Sequence, residues 1–454
     1  MLVVEIAAQA GCGDVSAVDA VVRDAVQQLA LPGASLRIEE SGRVLFEQTY
    51  GSYGIERVVP IASASKWLSA AVLMSCVDSG HLRLDDTVSS WLPAFDRPDK
   101  RGITLRQCFL HTSGLPADSS IVGDDTLTLQ QAAARIALLP LAYTPGSAFL
   151  YGGVSMHVAG AVCEVATGLA WDQLLRARLT GPLGMDSTDF GTTGNPRIAG
   201  GARSSLRDYA RFVAMLRDGG VSGGHRVLGT ASLREMFTEQ TSHLPILGTP
   251  HPNNAPYGIG TWIERRDAQG RATLVVGAGA FGFTGWVDLE RGAGGTFLVL
   301  DRFPPLYPFV VGMFDSVRQA MPPLGSTCVG VDSPACGRAI VLNGDRLPRS
   351  GALDFALTVA GAPSATAGAV ALATDALTAG VPVLGVSVHV PLAPPPLLVA
   401  VSTGADGTLR LPLPVIAEVG QALGVQAFFV GTAGCGGPGA LSASQALRLL
   451  VQAP

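Results

Sequence analysis

Lysine is almost missing from this chain. Of its 31 basic residues only Lys66 and Lys100 are lysines, so a lysine at a chemically useful spacing stands out. The 31 cations face 36 carboxylates, for a net charge of −5, and are scattered. They form no basic stripe for a phosphate backbone, and nucleic acid is excluded as an expected partner. Apolar runs are all interrupted by Pro or Gly before the roughly 18 residues a membrane span requires, so no span is expected. The histidines and cysteines show no metal-ligand spacing, and no Gly-rich loop ends in a lysine that would cradle phosphate. No metal and no cofactor are expected.

What the chain does have is length and apolar content. With 454 residues, 48% of them hydrophobic, it is long enough for two or three domains. Cys76, Cys108 and Cys163 lie in apolar, helix-like sequence and read as packed free thiols. Cys12, Cys328, Cys336 and Cys435 sit in Gly-rich or loop sequence, where a Cys328–Cys336 closure fits an oxidising compartment. The opening MLVVEIAAQAGC is apolar and ends in small residues, although it lacks a basic start and carries Glu5. It reads as the remnant of an export signal, and the expected location is periplasmic or extracellular.

Periodicity divides the chain. Residues 16–30 have helical spacing and stop at Leu31-Pro32-Gly33; SLRIEE and RVLFEQTY follow as strands joined by Ser41-Gly42. An apolar-periodic helix runs from Ile61 to Gly80. Further helices are expected near 129–138, 153–168, 171–179, 205–218 and 230–238. Strands are expected near 258–264, 272–277, 283–289 and 295–301, with a closing helix over 306–320. This order suggests an α+β domain, an antiparallel sheet flanked by helices with a helical insertion. After Met321-Pro322-Pro323 charge becomes rare, and short alternating runs such as LGVSVHV and LLVAVS point to a small β-sandwich. The expected domains are 14–323 and 326–454.

Ser63-Ala64-Ser65-Lys66 sets a hydroxyl at the start of a helix and an amine three residues later, on the same side of the first turn. A hydroxyl needs a nearby base that is at least partly neutral. Burial and the helix N-terminus both disfavour a positive charge there, so Lys66 gives up its proton more readily than a solvated lysine. Taken alone, the pair also fits an ordinary surface lysine beside an N-terminal serine.

The surrounding segments narrow the reading. IASASKWLSAAVL, LRLDDTVSSWLP, ITLRQCFLHTSGLP, TPGSAFLYGGVSMHVAGAVCEVATG, GPLGMDST and ARSSLRDYARFVAML occur in this order. Over about residues 18–320 the sequence resembles the class C β-lactamase, penicillin-binding-protein-like and family VIII esterase group. The resemblance implies Ser63 as nucleophile, Lys66 and Tyr151 as its base partners, and an oxyanion hole from the N–H groups of Ser63 and Ala280. It places the second motif, Tyr-x-Asn, on Tyr151-Gly152-Gly153. The third, Lys-Thr-Gly or an equivalent, falls on Gly277-Ala278-Gly279.

Two departures matter. Gly153 stands where the group has an Asn amide, and Gly277 where it has Lys, His or Trp. A substrate carboxylate then loses its cation, which favours a small-molecule ester with an apolar acyl group over β-lactams or D-amino-acid peptides. Arg302, after the last strand, is a candidate replacement charge. A non-catalytic binding protein that kept the fold is the rival from another class. Gly220-Val221-Ser222-Gly223-Gly224 matches G-x-S-x-G but lies in a turn after a helix, and His111 and His157 read as structural histidines rather than triad members.

Overall fold

The computed structural model describes residues 15–452, apart from 41, 325, 330–339, 378, 384–385, 416 and 431–440. The export-signal stretch, Cys12, Cys336 and Cys435 lie outside the described residues, and so does the Cys328–Cys336 closure. The chain divides into two compact units, one of Val22–Val310, the other of residues up to Val21 together with Val311–Pro454. Composition breaks at Pro322-Pro323, whereas this division falls earlier, inside the last helix of the first unit.

The first unit is built on a seven-stranded antiparallel sheet. Its strands are β1 (Gly33–Glu40), β2 (Arg43–Gly51), β3 (Tyr257–Gly258), β4 (Thr261–Arg266), β5 (Ala272–Ala278), β6 (Thr284–Asp288) and β7 (Ala293–Leu298), in the spatial order β2-β1-β7-β6-β5-β4-β3. The N-terminal hairpin thus pairs with the last strand, and β5 and β6, flanked on both sides, are buried along most of their length. The helices that position the site are α1 (Ala17–Gln28), α2 (Ser65–Asp78), α3 (Leu129–Ile136), α4 (Val154–Thr167), α5 (Leu206–Arg217), α6 (Thr230–Phe237) and α7 (Phe303–Ala320).

α2 is buried on every side from Ser65 to Cys76, which is why its sequence lacks a polar face. Glycines let helices approach the sheet closely: a Cβ on Gly285 would fall 2.6 Å from the Tyr209 ring, and one on Gly294 2.8 Å from Val213, both on α5. Local signals set the ends. Thr128 and Gln131 form a capping box on α3, Ser205 accepts the Asp208 N–H at the start of α5, and Gly168 closes α4 with a positive φ.

Three expectations shift. The single strand expected over 258–264 is a hairpin, β3 and β4, because Gly260 has φ +68° and turns the chain where a Cβ would strike Ala70. The helix over 171–179 loosens after Leu175 into a wide π turn, Arg176–Thr180. The closing helix begins at Phe303, with Pro304 and Pro305 in its first turn, where a missing N–H costs nothing.

In the second unit, β8 (Ser326–Val329), β11 (Ala367–Ala373), β12 (Leu397–Ser402), β14 (Ala422–Val430), β15 (Leu441–Ala443) and β16 (Ala446–Leu450) form one sheet. β9 (Val341–Gly344), β10 (Ala356–Ala360) and β13 (Leu409–Pro412) form another. Leu342, Leu357 and Val359 of the smaller sheet share a buried cluster with Val370, Val425, Ala427, Leu447 and Leu449 of the larger. That packing is the expected β-sandwich. Among the described residues no single helix is long and apolar enough to cross a membrane.

Candidate active site

Ser63 sits in a short 3-10 turn, Ala62–Ala64, immediately before α2. Ala62 has φ +46°, a left-handed conformation that costs a non-glycine residue energy. Hydrogen bonds hold it there. Ser65 Oγ donates to Ala62 O at 2.6 Å and accepts the Ala202 N–H at 3.0 Å, while Tyr209 donates from α5 to Ala64 O at 2.9 Å. Ser63 itself keeps partial exposure.

Lys66, one helical turn on, is 4% exposed. Its Nζ lies 3.1 Å from Ser63 Oγ and 2.9 Å from the Ala199 carbonyl oxygen, and 4.5 Å above the centre of the Tyr151 ring. Burial lowers its pKa to about 7, against a smaller opposing pull from Asp118. The amine is therefore partly neutral near neutral pH and can accept a proton from the hydroxyl it touches.

Tyr151 follows the short strand Phe149–Leu150, which pairs with Ile246–Gly248, and its own N–H donates to Gly248 O at 3.0 Å. Tyr151 is partly exposed; desolvation by the groups crowded round its phenol raises its pKa, while the nearby Ser63 and Trp262 pull the other way. The resemblance implies Tyr151 as a base partner, a role a phenolate beside an ammonium would serve. The local electrostatics favour the reverse distribution, a neutral phenol beside a partly neutral amine.

The glycines of Gly277-Ala278-Gly279, the segment read as the third motif, stand where a side chain would have no room. A Cβ on Gly277 would fall 2.5 Å from the Trp67 ring of α2, so the indole occupies the space a cation there would need. A Cβ on Gly279 would fall 2.0 Å from Ile61 O and 3.3 Å from Ala64 N, so this strand end runs hard against the Ser63 turn and leads into Ala280. Ala278 between them ends β5. Arg302 lies beside the same segment: Asp301 N–H donates to Phe281 O and Phe303 N–H to Ala280 O, each at 3.0 Å.

The two glycines of the second motif differ. A Cβ on Gly152 would fall 2.2 Å from Ala117 O, so glycine is obligatory, whereas one on Gly153 would meet only Ala199 Cβ at 3.6 Å. Gly153 thus leaves open room, part of a cleft of about 270 Å³ lined by Ala117, Asp118, Ser119, Val122, Val154 and Arg197.

The serine of Gly220–Gly224 belongs to a small hairpin, Val221–Ser222 with His225–Arg226, away from any strand-to-helix turn. His157 bonds Asn195 inside the core at 2.7 Å. His111, read as structural, packs at 4.6 Å on Tyr151 with neither ring nitrogen hydrogen-bonded, in a left-handed conformation (φ +57°). Trp262, stacked on Tyr151 at 5.1 Å and 20°, and Tyr257, 5.0 Å from His111, were not singled out. Two aromatics in Tyr257-Gly-Ile-Gly-Thr-Trp262, in a chain with 6% aromatics, were the available signal. Cys76, Cys108 and Cys163 are free and buried, as expected.

The chain is similar to known proteins in sequence and in fold. A beta-lactamase-like protein of Bacteroides dorei of solved structure is 31% identical, with a TM-score of 0.59 over 66% of this chain and 99% of that one. Penicillin-binding protein 4 of Amycolatopsis lactamdurans is 30% identical over 246 residues, 44% of this chain and 64% of that protein. A solved family VIII carboxylesterase, 17% identical, shares the fold with a TM-score of 0.57 over 68% of this chain and 99% of its own. Residues 18–307 match the family model described as Beta-lactamase. The chain belongs to the beta-lactamase family of serine hydrolases.

Proposed function

We propose that the protein cleaves carboxylic esters through an acyl-enzyme on Ser63. The observation that carries this reading is the 3.1 Å contact between Ser63 Oγ and a buried Lys66 amine whose pKa burial brings to about 7. Ser63 Oγ attacks the ester carbonyl carbon as its proton passes to neutral Lys66. The N–H groups of Ser63 and Ala280 take the charge on the carbonyl oxygen. The C–O bond to the alcohol then breaks, and the alkoxide leaves with a proton delivered from Lys66 by way of Tyr151. Water, deprotonated by the same pair, attacks the acyl carbon and releases the acid, restoring Ser63.

The preference for esters rests on Gly277. With Trp67 in the space of the missing cation, a substrate carboxylate has no partner at that position. An ester of a neutral acid needs none. The second reading, an amide or β-lactam hydrolase using the same residues, draws on Arg302, whose neighbours bond Ala280 and Phe281, and on the penicillin-binding relative. Turnover of nitrophenyl butyrate and of a chromogenic cephalosporin, each beside Ser63→Ala, separates the two. Ester cleavage abolished in Ser63→Ala supports the proposal; cephalosporin cleavage alone supports the second reading, and turnover that survives Ser63→Ala rejects both.

A further inference from the structure

The phenol of Tyr151 is flanked by a stack of rings, and the stack ends in a buried histidine–carboxylate hydrogen bond. Trp262 and Glu264 lie two residues apart on β4, with Glu264 at a register shift in its pairing with β5. His251 reaches both. Its ring centre is 4.9 Å from that of Trp262, and its Nε2 is 2.9 Å from Glu264 Oε2. The Asn253 and Ala255 N–H groups donate to His251 Nδ1 at 3.2 and 3.3 Å. Nδ1 therefore carries a lone pair and Nε2 the proton, which donates to the carboxylate.

The other carboxylate oxygen is taken as well. Tyr307 of α7 donates its hydroxyl to Glu264 Oε1 at 2.7 Å and accepts from Asn253 Nδ2 at 2.9 Å. The side chains of His251 and Glu264 are 5% and 8% exposed, so neither presents a free polar atom to a substrate. Trp262, held on this side by His251, stacks almost parallel on Tyr151 at 5.1 Å.

We propose that His251 is a positioning residue whose ring fixes Tyr151 toward Ser63 through Trp262. The proposal rests on the reading of Ser63 as nucleophile with Tyr151 in its proton path. Glu264 locks the histidine's tautomer and tilt, the imidazole confines the indole, and the indole limits the phenol to one orientation. Small misplacements of a proton-transfer group are costly, so losing the ring should slow chemistry while leaving substrate contacts intact.

Two substitutions in the full-length protein oppose this role to a merely structural one. His251→Phe keeps a ring on Trp262 but loses the bond to Glu264; His251→Gln keeps a donor for Glu264 but loses the ring. The readouts are the rate of Ser63 labelling by a fluorophosphonate, which needs an activated serine and no ester, and the split of kcat from KM on nitrophenyl butyrate. The positioning role gives a His251→Gln protein that labels about tenfold slower, with kcat reduced in parallel and KM within about twofold, and a His251→Phe protein within about threefold of wild type.

A His251→Gln protein with undiminished labelling overturns the proposal, and that outcome decides alone if His251→Phe does not fold. The reverse ranking, Phe impaired and Gln normal, also overturns it. Wild type that labels on Ser63 yet cleaves no ester retires the ester reading and leaves the labelling test of this proposal intact. Wild type that does not label on Ser63 overturns both.

Discussion

Gly277 lies against the indole of Trp67, with 2.5 Å between the ring and the place a Cβ would occupy. The strand of the third motif and the nucleophile helix are packed through this contact, and the family's usual cation is excluded by it. Gly277→Lys should therefore not restore a carboxylate site. Pushing a side chain into filled space costs about 1–3 kcal/mol or more, and we expect a melting temperature several degrees lower with no gain in cephalosporin turnover. A stable variant with new lactamase activity would show that Trp67 yields easily.

The buried lysine makes function and stability oppose each other. The unfolded chain binds a proton on Lys66 below about pH 10.5, the native site only below about pH 7. Between these values the unfolded state binds more protons, so this residue makes stability rise with pH across that window. Lys66→Met should be more stable than wild type at pH 7, by about 2–4 kcal/mol, and inactive. Wild-type activity should climb as pH passes through about 7. Thermal melts at pH 7 and 9.5, with a pH–rate profile, check both; a Met variant less stable at pH 7 contradicts the burial penalty.

Neighbouring glycines should respond oppositely. Gly152→Ala meets the Ala117 carbonyl oxygen at 2.2 Å and should displace the Tyr151 loop, with activity lost. Gly153→Leu enters open room and should fold normally while narrowing the cleft. Turnover across nitrophenyl esters of rising acyl length reads this out: the variant should shift preference toward short chains. An unchanged chain-length profile would place the acyl group elsewhere.

Ser63, Lys66, Tyr151 and Ala280 all belong to the Val22–Val310 unit. Truncation after residue 323 should therefore keep fluorophosphonate labelling of Ser63. A truncated protein that is folded by circular dichroism yet unlabelled would show that the β-sandwich is needed for chemistry.

Much of this was legible in the sequence, for identifiable reasons. Helical and alternating periods gave most elements of the first unit, since they reflect which faces are buried. Gly260 hid the β3–β4 hairpin because its positive φ leaves no trace in hydropathy. Ser63 and Lys66 were readable because their three-residue spacing is local. Trp262 and Ala199 were not, for they meet Tyr151 and Lys66 only over long sequence separations, and His251 and Glu264 join them only through Trp262. The electrostatics were half readable: helix burial foretold a depressed lysine, but not that desolvation would raise the phenol of Tyr151.

The central claim is that Ser63 is the nucleophile and neutral Lys66 its activator. Peptide mapping by mass spectrometry after fluorophosphonate treatment tests it directly, in wild type, Ser63→Ala and Lys66→Arg, whose guanidinium stays protonated and cannot act as base. The account predicts one adduct, on the peptide containing Ser63, absent in Ser63→Ala and formed at least about a hundredfold more slowly in folded Lys66→Arg. An adduct on another serine, such as Ser222, or wild-type labelling rates in Lys66→Arg, would contradict it.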